Sequence, residues 1–165
     1  MFDALLFDLD GTLIDTESIA LETGLAAFAA HGHPVSRAFL EGLVGKDDPT
    51  AEALVRDAFP EIDLPAINAA HRAAFIERVE LGLPLKPGAA ELLAASTLPC
   101  AIVTSSRRAG AHRKLAIAGI AQSFVHVVTL EDVEAPKPAP DPYLLAAALF
   151  GVAPQRCLVF EDSET

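Results

Sequence analysis

Short apolar runs alternate along this chain with longer stretches of helical periodicity. Residues 3–8, Asp-Ala-Leu-Leu-Phe-Asp, form an apolar run that ends in an acid and leads to Gly11. That is the pattern of a strand buried on both faces. Residues 100–104, 125–129 and 157–160 repeat it, each short, apolar and rich in β-branched side chains. Between these runs, helical patterns span about 88–96, 107–118 and 141–150. Such alternation predicts a parallel sheet covered by helices on both faces. In sheets of this kind ligands bind beyond the carboxyl ends of the strands.

One segment departs from the alternation. Residues 16–82 carry no strand pattern but four helical stretches, around 18–31, 35–43, 50–58 and 65–81. Pro34, Pro49, Pro60 and Pro65 punctuate them, and Leu83-Pro84-Leu85-Lys86-Pro87-Gly88 closes the segment. The predicted fold class is therefore α/β. A Rossmann-like parallel sheet core is built from residues 1–15 and 84–165, with an all-helical cap, residues 16–83, inserted after the first strand. Residues 159–163, Val-Phe-Glu-Asp-Ser, have the form of a strand running into an acidic loop. Nothing after them packs against that strand, so the expectation is a truncated core. The natural chain is expected to continue by roughly one helix and one strand, about 40–60 residues by the usual size of such a unit.

Composition narrows the partners. The chain has 165 residues, 52% of them hydrophobic, which is enough to bury a core in one domain or a core with an insertion. No run approaches the ~18 apolar residues of a membrane span, and Asp3, Asp8 and Asp10 interrupt any signal-peptide pattern. Cys100 and Cys157 sit in apolar runs without metal spacing, as expected of free thiols in a reducing cytoplasm. Lys and Arg total 12 against 23 Asp and Glu, a formal charge of −11. That argues against nucleic acid as a partner, because such binding depends on cations displacing counterions. A small phosphorylated metabolite remains compatible, provided local cations or a metal offset the repulsion.

The strongest chemical signal is Asp8-Leu9-Asp10-Gly11-Thr12, directly after the first strand. A carboxylate at a strand end is a nucleophile that needs no prior deprotonation at neutral pH. A second carboxylate two residues on can protonate a leaving oxygen and later activate water. Gly11 allows a sharp turn away from the strand. Thr104 ends the second strand, and with Ser105 and Ser106 it either holds phosphate oxygens or caps the following helix. Lys137 lies between Pro136 and Pro138 after the third strand, and Glu161 and Asp162 end the fourth, where acids suit magnesium.

Together these residues resemble the four motifs of the haloacid dehalogenase superfamily, and within it the phosphoglycolate phosphatase and β-phosphoglucomutase-like branch. Asp8 to Thr12 match the first motif and Thr104 the second. Lys137 followed by Pro138 matches the third, and Phe160 to Ser163 match the fourth. The resemblance implies a magnesium-dependent phosphatase that hydrolyses small phosphate monoesters of the sugar phosphate or phosphoglycolate class. It implies Asp8 as nucleophile and metal ligand, with Asp10 as acid/base and as metal ligand through its backbone carbonyl. Thr104 would hold the phosphoryl group and Lys137 would offset charge. Asp162 would ligate Mg2+ with Glu161 in support. An acid at Asp10 sets the chain apart from true dehalogenases, which usually lack one there.

Further candidates for substrate binding are Ser105, Ser106, Arg107 and Arg108, and in the cap Glu17, Gly45, Lys46 and Asp47. For Arg107 and Arg108 a solvated helix face is the favoured reading. The five histidines show no metal spacing. Two alternatives stay open: a phosphosugar mutase of the β-phosphoglucomutase type, and a non-catalytic module that binds phosphate or metal in the same pocket. Nothing in the sequence sets the oligomeric state.

Overall fold

The computed structural model describes every residue except Gly45, Asp47, Glu164 and Thr165. Two compact units emerge: one combines Met1–Thr16 with the chain from Gly82 onward, and the other is Glu17–Leu81.

The first unit is built on four parallel strands, β1 (Ala4–Phe7), β2 (Cys100–Val103), β3 (His126–Val128) and β4 (Cys157–Phe160), in the order β3-β2-β1-β4. β1 pairs on both sides, with Leu5 opposite Cys100 on one neighbour and opposite Leu158 on the other. Every residue of β1 and β2 is buried, which is why both read as unbroken apolar runs with no alternation. Helix α7 (Asp141–Phe150) packs on one face, where Leu6, Ala101, Val103, Val128 and Ala146 form a buried cluster joined by Tyr143 and Phe150. Phe7 points the opposite way, as period-2 alternation requires, and stacks on Phe160 with ring centroids 4.7 Å apart. Helices α5 (Ala89–Ala95) and α6 (Arg108–Ile117) complete the unit. The chain steps from β1 to β2 to β3 and then crosses back to β4 on the far side of β1. The strand order therefore reverses between β1 and β4, and a crevice opens at their carboxyl ends.

Expected and observed elements differ by at most two residues at any end, and β4 and α7 match at both. The third strand shortens to His126–Val128, and the second stops at Val103. The segments that leave and re-enter this unit run side by side: the Lys86 N–H donates to the Leu13 carbonyl and the Asp15 N–H to the Pro84 carbonyl, both at 2.9 Å.

The second unit is helical: α1 (Thr16–Ala30, whose first residue belongs to the first unit), α2 (Arg37–Glu41), α3 (Asp48–Ala58) and α4 (Leu64–Glu80). Its core gathers Ala27, Phe28, Val55, Ile62, Leu64 and Ile67, with Phe39 set edge-on to both Phe28 and Phe59. Ser36 and Asp63 cap α2 and α4, accepting from the N–H groups of Phe39 and Ala66. Among the described residues no helix is long and apolar enough to cross a membrane.

Candidate active site

The ends of three strands and one loop bring the chemistry together. Asp8 follows β1, and its N–H donates to the Phe160 carbonyl at 2.9 Å, which fixes it beside the end of β4. Thr104 follows β2 and is tied in the same way to Val128 of β3. Glu161 and Asp162 continue β4, and Lys137 comes from the loop between β3 and α7, where the Lys137–Pro138 peptide is cis. Asp8, Asp10, Thr104, Lys137, Glu161 and Asp162 line one pocket of about 350 Å³, with Ser105 and Ser106 on its wall. A larger groove of about 640 Å³ lies on the second unit between residues such as Leu64, Arg72 and Ile76. Its lining offers one carboxylate, Glu52, against four in the smaller pocket.

Lys137 is the hinge of the charge arrangement. Its Nζ donates to Asp8 Oδ1 and to Glu161 Oε2, each at 2.7 Å, and lies 5.1 Å from the centre of the Tyr143 ring. Burial works against the lysine's charge, but the hydrogen bonds to Asp8 and Glu161 outweigh it and hold the pKa above the ordinary lysine value. Burial dominates at Asp8, whose carboxyl is pushed up to about 6 against the pull of Lys137. Burial would also raise Glu161, yet hydrogen bonds from Lys137 and Tyr143 keep its carboxyl below the usual range. The Tyr143 hydroxyl donates to Glu161 Oε2, and burial followed by that anion pushes the phenol up to about 12.

Three carboxylates converge for a cation. One oxygen from each of Asp8, Glu161 and Asp162 lies within 4.8 Å of the others. A set made only of carboxylate oxygens fits a hard divalent ion such as magnesium, and not a soft one. Thr12 steadies this set by donating from Oγ1 to Asp162 Oδ1 at 2.7 Å.

Asp10 turns its carboxylate elsewhere. Oδ1 accepts from Thr16 Oγ1 at 3.0 Å and from Lys114 Nζ at 2.6 Å. Oδ2 accepts from Ser106 Oγ at 2.9 Å and from Lys114 Nζ at 2.7 Å. Thr104 Oγ1 accepts the Ser106 N–H at 3.1 Å, so Thr104-Ser105-Ser106 closes a turn. It does not cap α6: Arg107 holds that position, without a side-chain hydrogen bond.

Arg107 and Arg108 do not line the pocket. Arg107 is 80% exposed and reaches Glu131 at 3.9 Å, while Arg108 pairs with Asp132 at 2.7 Å. Lys46 belongs to the second unit and is exposed there, and Gly45 and Asp47 lie outside the described residues. Three contributors escape the sequence motifs: Thr16, Lys114 and Tyr143. Lys114 leaves one trace in the sequence, a lysine set within the apolar stripe of α6 between Ala111 and Leu115. Tyr143 is the chain's single tyrosine and opens α7 just after the Lys137 loop.

Known proteins resemble this chain over most of its length. Hexitol phosphatase A of Escherichia coli (strain K12) is 38% identical over 162 residues, covering 96% of this chain and 73% of that protein. Fructose-1-phosphate phosphatase YqaB of the same organism is 32% identical over 170 residues, covering 99% and 88%. Among solved structures, a HAD family hydrolase from Deinococcus radiodurans R1 with bound phosphate and sodium superposes with a TM-score of 0.82. It is 30% identical, covering 96% of this chain and 71% of the other. The family match itself runs from residue 2 to residue 165. The chain therefore belongs to the haloacid dehalogenase-like hydrolases.

Proposed function

We propose that this protein is a magnesium-dependent phosphatase acting on small phosphate monoesters of the sugar phosphate or phosphoglycolate class, through an aspartyl-phosphate on Asp8. The observation that carries this reading is the position of Asp8. It is buried at the end of β1, shares Lys137 with Glu161, and belongs to the three-carboxylate cluster in a pocket walled by Thr104 and Ser105. The names of the sugar-phosphate phosphatases related to the chain support the same substrate class.

In this reading Asp8 Oδ attacks phosphorus as the bond to the leaving oxygen breaks, and Asp10 passes its proton to that oxygen. Asp10 then takes a proton from water as the water attacks the acyl-phosphate, returning Asp8 and releasing phosphate. Asp8, Glu161 and Asp162 would hold magnesium, which neutralises phosphoryl charge when bound. Lys137 and the Thr104 hydroxyl orient and balance the phosphoryl oxygens. The helical unit takes the role of a cap that selects the leaving group, with Gly45 and Lys46 as candidate specificity residues. The cytoplasm suits the free thiols Cys100 and Cys157.

A phosphate-release screen of sugar phosphates, phosphoglycolate and nucleotides, run on wild type and Asp8→Asn, tests this. Wild type is expected to release phosphate from a subset, and Asp8→Asn from none. Isomerised sugar phosphate without free phosphate would instead assign a mutase.

A further inference from the structure

Asp10 carries both proton transfers in the proposed reaction, yet the residue that grips it most tightly belongs to none of the motifs. We infer that Lys114 is the positioning residue of this acid–base group. The assignment rests on the phosphatase reading above and specifies how its proton donor is held.

Lys114 sits in the last turn of α6 with its side chain 19% exposed. Its Nζ makes three hydrogen bonds: to Asp10 Oδ1 at 2.6 Å, to Asp10 Oδ2 at 2.7 Å and to Ser106 Oγ at 3.0 Å. An ammonium has three protons, so Lys114 has none left for a substrate. Nor does it line the pocket, whose wall includes Asp10 and Ser106 but not Lys114. It stands behind Asp10, with Thr16 completing the clamp on Oδ1.

Two physical tasks follow from this placement. The first is orientation. A carboxylate on a short stem just before a turning glycine has few restraints of its own, and proton transfer needs the donor within hydrogen-bond reach of the leaving oxygen. The clamp from Lys114, Ser106 and Thr16 fixes both carboxylate oxygens. The second task is charge. Asp10 shares the pocket with Asp8, Glu161 and Asp162, and Lys137 already serves two of those three. Lys114 is the second cation at this cluster, and its ammonium faces both oxygens of Asp10. During the first step the proton moves from Asp10 to the ester oxygen as the phosphorus–oxygen bond breaks. The carboxylate left behind is the species the Lys114 ammonium stabilises.

The test compares esters that differ in their need for a proton. Glycerol phosphate leaves as an alkoxide and requires protonation, whereas p-nitrophenyl phosphate leaves as a stable phenolate. Lys114→Met should lower kcat/KM for glycerol phosphate by about tenfold or more, within the ~10²–10⁴ that general acid catalysis supplies. The loss on p-nitrophenyl phosphate should stay below about threefold by the same logic. In an Asp10→Asn background Lys114→Met should add no further loss, because its effect passes through Asp10. Lys114→Arg should recover part of the rate. Lys114→Gln, which keeps a neutral N–H donor on a stem one atom shorter, carries the same test if the methionine lowers the melting temperature. Equal losses on both esters, additive losses with Asp10→Asn, or no loss while Asp10→Asn is crippled would each overturn the assignment. Turnover by Asp8→Asn would overturn the phosphatase mechanism, and this assignment with it.

Discussion

Gly11 presses its Cα against the carboxylate of Asp162 so closely that a Cβ there would overlap Oδ2 and stand 2.9 Å from Cγ. Its φ of +88° is also one that side-chain-bearing residues rarely adopt. The glycine of the first motif thus serves Asp162 of the fourth, the acid proposed to hold the metal, as well as the turn. Gly11→Ala should therefore do two things. It should lower stability by about 1–2 kcal/mol through the left-handed backbone. It should also displace Asp162 and raise the magnesium concentration needed for half-maximal activity. A thermal melt and a magnesium titration measure the two separately. An unchanged titration would remove Asp162 from the metal site.

Tyr143→Phe should loosen Glu161 without touching the fold's core. The phenol donates to an ionised carboxylate, a bond worth about 1.5–3 kcal/mol when the charged acceptor is buried. Glu161 is only partly buried, so the lower end applies. Glu161 keeps its bond from Lys137, and the expected result is a modest fall in melting temperature together with weaker magnesium activation. A drop in melting temperature alone would make Tyr143 structural only.

The motifs and the alternation of strands with helices were legible because each rests on local chemistry. β1 and β2 are buried on both faces and so carry unbroken apolar runs, and Asp8, Thr104 and Glu161 sit one residue past the strands that place them. Strand β4 gives the same signal although it is only half-buried, because its residues 157–160 are all apolar. The contacts that escaped are long-range. Lys114 meets Asp10 across 104 positions and Tyr143 meets Glu161 across 18, and neither pairing follows from any periodicity. The turn at Thr104-Ser105-Ser106 could have been a cap or a phosphate loop from sequence. Tertiary demand from Asp10 on the Ser106 hydroxyl decided against the cap.

The donor set makes the proposed magnesium dependence testable. Chelation with EDTA should abolish turnover and magnesium should restore it, while calcium should restore it poorly. Asp8 is both a member of the carboxylate cluster and the proposed nucleophile. A larger ion with longer bonds, at ~2.3–2.6 Å against ~2.0–2.1 Å for magnesium, would hold that carboxylate away from phosphorus. Full activity in chelator would contradict the role given to Asp8, Glu161 and Asp162 together.

Asp8→Asn should stabilise the metal-free protein, and the effect should depend on pH with a defined sign. Burial raises the Asp8 carboxyl from its ordinary 3.8 to about 6. A folded-state pKa above the unfolded one means the native protein binds the proton more tightly. The stability this contributes is complete below about pH 4, falls as pH rises to about 6, and is absent above it. A shift of about two units corresponds to on the order of 3 kcal/mol lost over that window. Asparagine carries no charge to desolvate, and Lys137 retains Glu161 as its partner. In EDTA, Asp8→Asn is therefore expected to melt above wild type at pH 8 and to converge with it near pH 4. Saturating magnesium should narrow the gap at pH 8, because it binds wild type better and raises its melting temperature by mass action. A difference between the two proteins that is the same at every pH would mean that desolvation of the Asp8 charge does not limit the stability of this site.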